Sequence, residues 1–130
     1  AFVDTYAPIL TPDHKEVLVW TKDEKLFGLD ASTGELLWDI QLSFRIWSVD
    51  FSPDGETMYF GDSNGGIVHA LDYRTRKQRW MFRSTWSTYS YVRFALGLEQ
   101  AGSLDISSDG KTLFVGNSRG YVFAVDTATG

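Results

Sequence analysis

Two aspartates in repeated positions, Asp50 and Asp105, are the residues whose type and placement come nearest to chemistry. Each lies in a short alternating segment, SVDFS at 48–52 and SLDIS at 103–107. At equivalent positions on the innermost strands of two repeats, these carboxylates could line a central channel and bind a cation or a polar ligand. Repetition at one position favours instead a structural aspartate that accepts hydrogen bonds from the backbone or from neighbouring serines.

The other candidates for chemistry form no catalytic or metal-binding set. His14 lies in a turn and His69 in the middle of a predicted strand, with no further ligands at a usable spacing. The segment DSNGG at 62–66 resembles a calcium loop but lacks the later bidentate glutamate, which favours a hairpin turn. The GxSxG, HExxH, P-loop and GxGxxG motifs are missing. No catalytic, cofactor-binding or metal-ligating residue is therefore assigned.

An aromatic insertion over about 84–100 is one candidate contact surface. It interrupts a repeated sequence and carries tryptophan, tyrosine and arginine, which are enriched at the centres of protein interfaces. The residues predicted to contact a partner are Trp86, Tyr89, Tyr91 and Arg93. The alternative is a hairpin that packs its own aromatic side chains over the neighbouring strands.

A basic segment, RTRKQRWMFR at 74–83, is the second candidate surface. Strand alternation puts Lys77 and Arg79 on one face, together with Arg83, and places Trp80 and Phe82 on the other. An outermost strand whose positive charge prevents pairing with other chains explains this pattern. The rival interpretation is a docking strip for an acidic partner, with Lys77 and Arg79 as contact residues.

Composition limits the classes of function that remain. The chain has 130 residues, 43% of them hydrophobic, which is enough for a packed core. Its net charge of −5 disfavours nucleic acid and anionic membranes as partners. The absence of cysteine excludes disulfides and thiolate metal sites within this segment. No apolar run approaches the roughly 20 residues that cross a bilayer, so no transmembrane segment is predicted.

An internal repeat determines the predicted architecture. Residues 48–65 match residues 103–120 without a gap, a weaker copy occupies 7–34, and Trp38 lies 42 residues before Trp80. A period near 40 residues with regular turn signals is typical of propeller blades of four short strands. In the second copy the predicted strands are SVDFS, TMYFG, IVHALD and KQRWMFR. The strands are apolar on both faces, as expected where each sheet lies between two others.

The predicted fold is all-β, a β-propeller segment of about three four-stranded antiparallel blades that form an incomplete ring. Blade one spans about 7–42 and blade two about 46–83, and the aromatic insertion follows over about 84–100. Blade three spans about 101–130 and is truncated before its outer strand. Three sheets alone would expose two apolar faces. We therefore expect the remaining blades of a parent chain, or other subunits, to complete the ring.

A second repeated phrase lies at the end of the third strand of each blade. It reads GLDASTGELLW at 28–38, ALDYRTRKQRW at 70–80 and AVDTATG at 124–130. The carboxylates of its aspartates are predicted to accept hydrogen bonds from the backbone of the following turn. Its glycines are predicted to supply a positive φ, and its tryptophans to fill the wedge between diverging sheets. The residues of this motif are Asp30, Gly34, Trp38, Asp72, Trp80, Asp126 and Gly130.

The phrase resembles the tryptophan-docking motif of the pyrroloquinoline-quinone-like propellers, a family of quinoproteins and their non-enzymatic relatives. The resemblance implies that Trp38 and Trp80 pack across to the next blade. The Ser-Pro-Asp-Gly turn is also similar to turns of WD-repeat propellers. The function implied is a non-catalytic binding or scaffolding propeller with a protein or ligand partner. The alternative implied is a fragment of a quinoprotein dehydrogenase, which would use pyrroloquinoline quinone and calcium. The family also leans towards extracytoplasmic locations.

Two positions depart from the motif. Gly28 stands in place of the usual alanine, and Arg76 stands where the turn glycine belongs. A residue other than glycine at positive φ costs about 1 kcal/mol. The second turn therefore either differs from the others or is strained, and if it is strained Arg76→Gly is predicted to raise the melting temperature.

Overall fold

The described part of the chain is built of β-strands. The computed structural model describes residues 8–63, 66–83, 101–117 and 120–130. These residues form two four-stranded sheets and one three-stranded sheet, in which strands consecutive in sequence are neighbours. None of them lies in a helix with the length and hydropathy needed to cross a membrane. The predicted all-β propeller segment of about three blades is confirmed as the fold class.

The strands follow the repeat. Sheet one contains β1 (Ile9–Leu10), β2 (Glu16–Trp20), β3 (Lys25–Asp30) and β4 (Leu36–Gln41). Sheet two contains β5 (Ile46–Phe51), β6 (Thr57–Asp62), β7 (Ile67–Asp72) and β8 (Gln78–Arg83). Sheet three contains β9 (Ala101–Ile106), β10 (Thr112–Asn117) and β11 (Val122–Asp126).

The chain divides into two compact units. The first unit, Ala1–Ile46, contains sheet one, and the second, Trp47–Gly130, contains sheet three and nearly all of sheet two. The core of the first unit includes Leu18 and Leu26, which are fully buried on adjacent strands β2 and β3.

Sheets two and three pack face to face in the second unit. Their shared core consists of Tyr59, Val68 and Ala70 of sheet two and Leu113, Val115 and Val125 of sheet three. Aromatic side chains border this core: the ring centroids of Phe82 and Phe123 are 5.7 Å apart, within the range of favourable ring contacts. Contact between two apolar sheet faces is the packing expected of adjacent propeller blades.

Burial differs between the two sheets of this unit. All six residues of β6 are buried, which agrees with strands that are apolar on both faces. In sheet three, β10 and β11 are buried on one face only, and Phe114 and Val122 of the other face are 42% and 72% exposed. Sheet three therefore carries apolar residues on both faces and leaves one of these faces exposed within the described residues, as expected for three sheets alone.

One turn design recurs between the first and second strands of each sheet. The hydroxyl of Ser52 donates to the Asp54 carboxylate at 2.5 Å and accepts from the backbone N–H of Thr57 at 2.9 Å. Thr11 with Asp13, and Ser107 with Asp109, repeat the same hydroxyl-to-carboxylate bond at 2.7 Å. The residue after each aspartate has a positive φ: it is His14, Gly55 or Gly110.

Candidate functional site

The repeated aspartates fix the turns that follow the third strands. The Asp30 carboxylate accepts hydrogen bonds from the backbone N–H groups of Ser32 and Thr33, both at 2.8 Å. Asp72 accepts from the N–H of Thr75 at 2.8 Å, and Asp126 from the N–H groups of Ala128 and Thr129. The Ser32 hydroxyl, followed by the Thr33 N–H, lowers the pKa of Asp30 to about 2. These are the turn hydrogen bonds that the sequence predicts.

Arg76 adopts the backbone conformation of the glycine that it replaces. Its φ is 61°, compared with 74° at Gly34 and 85° at Gly130, so the turn of blade two is of the same kind. The Arg76 guanidinium lies 4.8 Å from the centroid of the Tyr73 ring and donates to the carbonyl oxygens of Tyr73 and Arg74. Cation–π contact and hydrogen bonds therefore offset part of the conformational cost.

Trp80 joins sheet two to sheet three. Its indole Nε1–H donates to the carbonyl oxygen of Thr127 at 2.8 Å, in the turn after β11. A Cβ atom at Gly130 would lie only 2.9 Å from the indole ring, so glycine permits the close approach at that position. The Trp80 ring also lies 5.8 Å from the Tyr59 ring, at the edge of the shared core. Trp80 thus packs across to the next blade, as the resemblance implies.

Trp38 lies over its own sheet. Its indole Nε1–H donates to the Glu16 carboxylate at 2.7 Å, and Glu16 begins β2 of the same sheet. Trp38 is paired with Gly28, where a Cβ atom would lie 2.1 Å from the indole ring. Trp80 is paired with Ala70 in the same register. The absence of a side chain at Gly28 therefore allows an indole placement that alanine would block.

The basic segment forms strand β8 and shows the predicted alternation. Trp80 and Phe82 are half-buried, whereas Arg79, Met81 and Arg83 are exposed, and Lys77 is exposed just before the strand. Arg79 is already engaged within sheet two, because its guanidinium donates to Asp72 at 2.6 Å and to the Thr57 hydroxyl at 2.7 Å. The bond from Arg79 holds the pKa of Asp72 well below its usual value. Binding of an acidic partner by Lys77 and Arg79 stays a prediction.

A surface cleft opens between two turns at one end of sheet two. Its volume is about 320 Å³, within the range of small-ligand sites. The cleft is lined by Asp54, Gly55, Glu56, Asp72, Tyr73 and Arg74. Acidic and basic residues therefore line the same cleft.

Asp105 of sheet three influences Asp50 of sheet two electrostatically. Burial and the negative charge of Asp105 raise the pKa of Asp50, while a 2.8 Å hydrogen bond from the Phe51 N–H opposes that rise. Among residues 8–63, 66–83, 101–117 and 120–130, no three histidine, aspartate or glutamate side chains are grouped so that they could hold a metal ion. The hydrogen bond to Phe51 supports the structural interpretation of Asp50.

A buried polar cluster in sheet two was not predicted. His69 Nδ1 lies 3.1 Å from Gln78 Oε1, and His69 Nε2 lies 3.6 Å from Asp62 Oδ2. His69 and Asp62 are both buried. The sequence holds a signal for this cluster, because His69 interrupts an apolar strand whose counterparts carry Phe27 and Phe123.

The predicted contact residues of the aromatic insertion lie outside the described residues. These are Trp86, Tyr89, Tyr91 and Arg93, and two positions of the loop at 62–66, Asn64 and Gly65, lie outside them as well. Their predicted roles stay predictions.

Comparison with known proteins identifies a family to which the chain is similar. The family model described as outer membrane protein assembly factor BamB, of the pyrroloquinoline-quinone-like repeat type, matches residues 6–130. The chain belongs to this family. The Trp80 contact and the repeated aspartate turns are thus features of a BamB-type repeat protein.

A solved structure supports the fold of this BamB-type chain. The structure titled "Kuenenia stuttgartiensis Hydrazine Synthase" is similar, with a TM-score of 0.69 and 16% sequence identity. The similarity covers 92% of this chain and 32% of the solved chain, so the BamB-type chain spans about a third of that protein's length. No curated protein matches the chain. At this identity the likeness concerns the fold alone.

Proposed function

We propose that the chain is a segment of a non-catalytic binding or scaffolding propeller that contacts a protein or ligand. The observation that carries the proposal is that charged side chains at the strand ends are engaged in hydrogen bonds within the fold. Asp30, Asp72 and Asp126 fix turns, and Arg79 ties Asp72 to Thr57. Groups engaged in this way hold surface loops in fixed positions, which favours binding to a partner over acid–base chemistry.

The contact surface under this proposal lies at the turn end of sheet two. Exposed Arg74 lines the cleft together with Asp54 and Glu56, and exposed Lys77 follows in the same basic segment. Arg74 and Lys77 attract an acidic partner, while the tyrosine in the cleft supplies apolar contact area. The insertion residues Trp86, Tyr89, Tyr91 and Arg93 would extend this surface.

Site-specific photo-crosslinking tests the proposed surface in the intact protein. A photo-reactive amino acid is placed at Lys77 in one variant and, as a matched control, at the exposed Lys111 just before β10. The proposal predicts discrete cross-linked species from position 77 that position 111 does not give. The same species from both positions, or none from position 77, would contradict it.

A segment of a quinoprotein dehydrogenase is the second candidate function. Asp50 favours it, since burial and a neighbouring carboxylate raise its pKa on an innermost strand. The described residues do not themselves fit a calcium ion, because calcium takes six to eight oxygen ligands and no three of their carboxylates or histidines are grouped to hold a metal ion.

Dye reduction separates the two candidates. The intact protein is incubated with pyrroloquinoline quinone, calcium, an alcohol substrate and an electron-accepting dye. The binding proposal predicts no turnover above the protein-free control. Sustained turnover that is lost in Asp50→Asn would establish the dehydrogenase instead.

A further inference from the structure

We propose that Arg76 is a positioning residue for the cleft at the turn end of sheet two, where it holds Tyr73 and Arg74 ready for an acidic side chain of the partner. This inference rests on the proposed function and names the residue that orders its contact surface. Arg76 has a φ of 61° at a position where the other two copies of the motif have glycine. Backbone strain of this kind is concentrated at binding and switch sites, so its presence points to a role for the side chain.

The internal repeat supplies two reference copies of this turn. In each copy the residue at the positive-φ position donates its N–H to the carbonyl oxygen of the motif aspartate, at 2.8 or 2.9 Å. The side chains differ: Tyr73 and Arg74 correspond to Ala31 and Ser32 in sheet one, and to Thr127 and Ala128 in sheet three. The turn forms with small side chains in two copies, so its fold does not require the large ones of sheet two.

The Arg76 side chain folds back over the two large residues of its turn. Its guanidinium lies 4.8 Å from the centroid of the Tyr73 ring. It also donates to the carbonyl oxygens of Tyr73 and Arg74, and the second of these bonds is 2.7 Å long. Tyr73 and Arg74 both line the cleft. Gly34 and Gly130 have no side chain to make such contacts, so this arrangement is specific to sheet two.

His14 shows that a positive φ does not by itself bring such contacts. Its φ is 59° at a turn position where the other copies have Gly55 and Gly110. Among the described residues its side chain makes no hydrogen bond, ion pair or ring contact. The contacts of Arg76 are therefore a property of its side chain and of the two residues that it meets.

The charge of the cleft indicates the group that it receives. Arg74 is exposed, and within the described part of the chain its guanidinium makes no hydrogen bond or ion pair, whereas that of Arg79 is bonded to Asp72 and Thr57. An unoccupied guanidinium binds a carboxylate through two parallel hydrogen bonds. Glu56 of the other turn repels a carboxylate, which leaves Arg74 as its contact. A turn that is already fixed loses less entropy when the acidic side chain binds.

Binding of a fluorescein-labelled octaglutamate peptide to the intact protein tests the proposal. Fluorescence anisotropy gives the affinity, and calorimetry of the same samples gives the melting temperature. Arg76→Gly should weaken binding about fivefold although its melting temperature lies slightly above that of the wild type. His14→Gly removes the same kind of backbone strain in sheet one and should bind as the wild type does. Unchanged affinity in Arg76→Gly would overturn the proposal.

A double-variant cycle separates positioning from charge, because Arg76→Gly also removes a positive charge. Tyr73→Thr introduces the residue of sheet three and leaves every charge in place. If Arg76 acts through Tyr73, the losses of affinity in the two single variants should exceed in sum the loss in the double variant. Additive losses would mean that Arg76 contributes by charge alone, and would overturn the proposal.

The outcomes distinguish this inference from the proposed function. Cross-linking from position 77 decides whether the surface binds a partner at all. Discrete cross-linked species together with an affinity that Arg76→Gly leaves unchanged would overturn the inference alone. If the wild type did not bind octaglutamate, the acidic contact would be refuted and the inference with it, even where cross-linking from position 77 succeeded.

Discussion

Gly28 and Ala70 occupy the same position of the repeat, yet the tryptophans paired with them make different hydrogen bonds, Trp38 to Glu16 and Trp80 to Thr127. A Cβ atom at Gly28 would lie 2.1 Å from the Trp38 indole, so Gly28→Ala must displace that ring and break its hydrogen bond to Glu16. Overpacking of this kind costs about 1–3 kcal/mol. Chemical denaturation of the intact protein should show that loss, together with a shift in tryptophan fluorescence. Unchanged stability and fluorescence would contradict the placement of Trp38.

The double variant Gly28→Ala with Trp38→Phe provides a matched test of this strain. Phenylalanine is smaller and has no N–H for Glu16, so the added methyl group should be tolerated better beside it. The two substitutions should therefore be non-additive, with the double variant more stable than the sum of the single effects predicts. If the two stability losses were additive, the strain in Gly28→Ala would not come from the Trp38 ring.

Arg76 combines an unfavourable φ of 61° with favourable contacts to Tyr73. Arg76→Ala loses the contacts and keeps the unfavourable φ, whereas Arg76→Gly loses both. We expect the free energy of unfolding of Arg76→Gly to exceed that of Arg76→Ala by about 1 kcal/mol. The melting temperature of Arg76→Gly should lie slightly above that of the wild type. Differential scanning calorimetry of the three proteins measures these differences. A glycine variant no more stable than the alanine variant would show that the turn does not favour glycine.

Asp50 is destabilised as a carboxylate by burial and by the charge of Asp105, which raise its pKa. A raised pKa in the folded state means that stability falls as the pH rises through that pKa. Asp50→Asn should therefore be more stable than the wild type at pH 7, and this advantage should shrink as the pH falls through the raised pKa to the usual pKa of aspartate. Urea midpoints across this pH range check the sign. A variant less stable than the wild type at pH 7 would contradict it.

At the scale of single elements, the turns after the third strands have the opposite pH dependence. The pKa of Asp30 is lowered to about 2, so its contribution is present above the ordinary aspartate pKa near 4 and is lost as the pH falls towards 2. The stability difference between the wild type and Asp30→Ala should narrow over that interval. Asp39→Ala, on β4, gives the control at an aspartate with no role in a turn. If the stability difference between the wild type and Asp30→Ala did not change with pH, the Asp30 carboxylate would not fix the turn.

The strands and turns could be predicted because their signals are local. Alternation gave the strands of sheet two, and the Asp30, Asp72 and Asp126 turns need only a short side chain and the next few N–H groups. The β-bulge before the tryptophan of β8 could not be predicted, since it is a feature of strand register. Ala70 pairs with Trp80 but Leu71 pairs with Gln78, so the residue between Gln78 and Trp80 has no partner in β7.

The candidate site depended more on contacts between distant residues. The sequence selected Arg79 for its charge, but its bonds to Thr57 and Asp72 arise only when β6, β7 and β8 align. The placement of Trp38 depends on Glu16, 22 residues away, and on one missing methyl group at Gly28. Such pairs follow from register and packing, which a single sequence does not specify.

At the scale of the whole molecule, the account depends on packing between sheets of one repeat. Sheets two and three share one core, and Trp80 crosses between them to reach Thr127 and Gly130. The repeat predicted strands that are apolar on both faces; all of β6 in sheet two is buried, whereas the outer apolar face of sheet three exposes Val122. Two packed sheets with fixed turns support the proposed binding function, because groups held in place lose little entropy when a partner binds.

Hydrogen exchange of Trp80→Ala in the intact protein tests the central claim most directly. Removing a large aromatic side chain that joins two sheets costs about 3 kcal/mol, which corresponds to roughly 100-fold faster exchange through the affected opening. The account predicts this acceleration in β10 and β11 of sheet three as well as in β7 and β8 of sheet two. Acceleration confined to sheet two would contradict the claim that Trp80 holds the two sheets together.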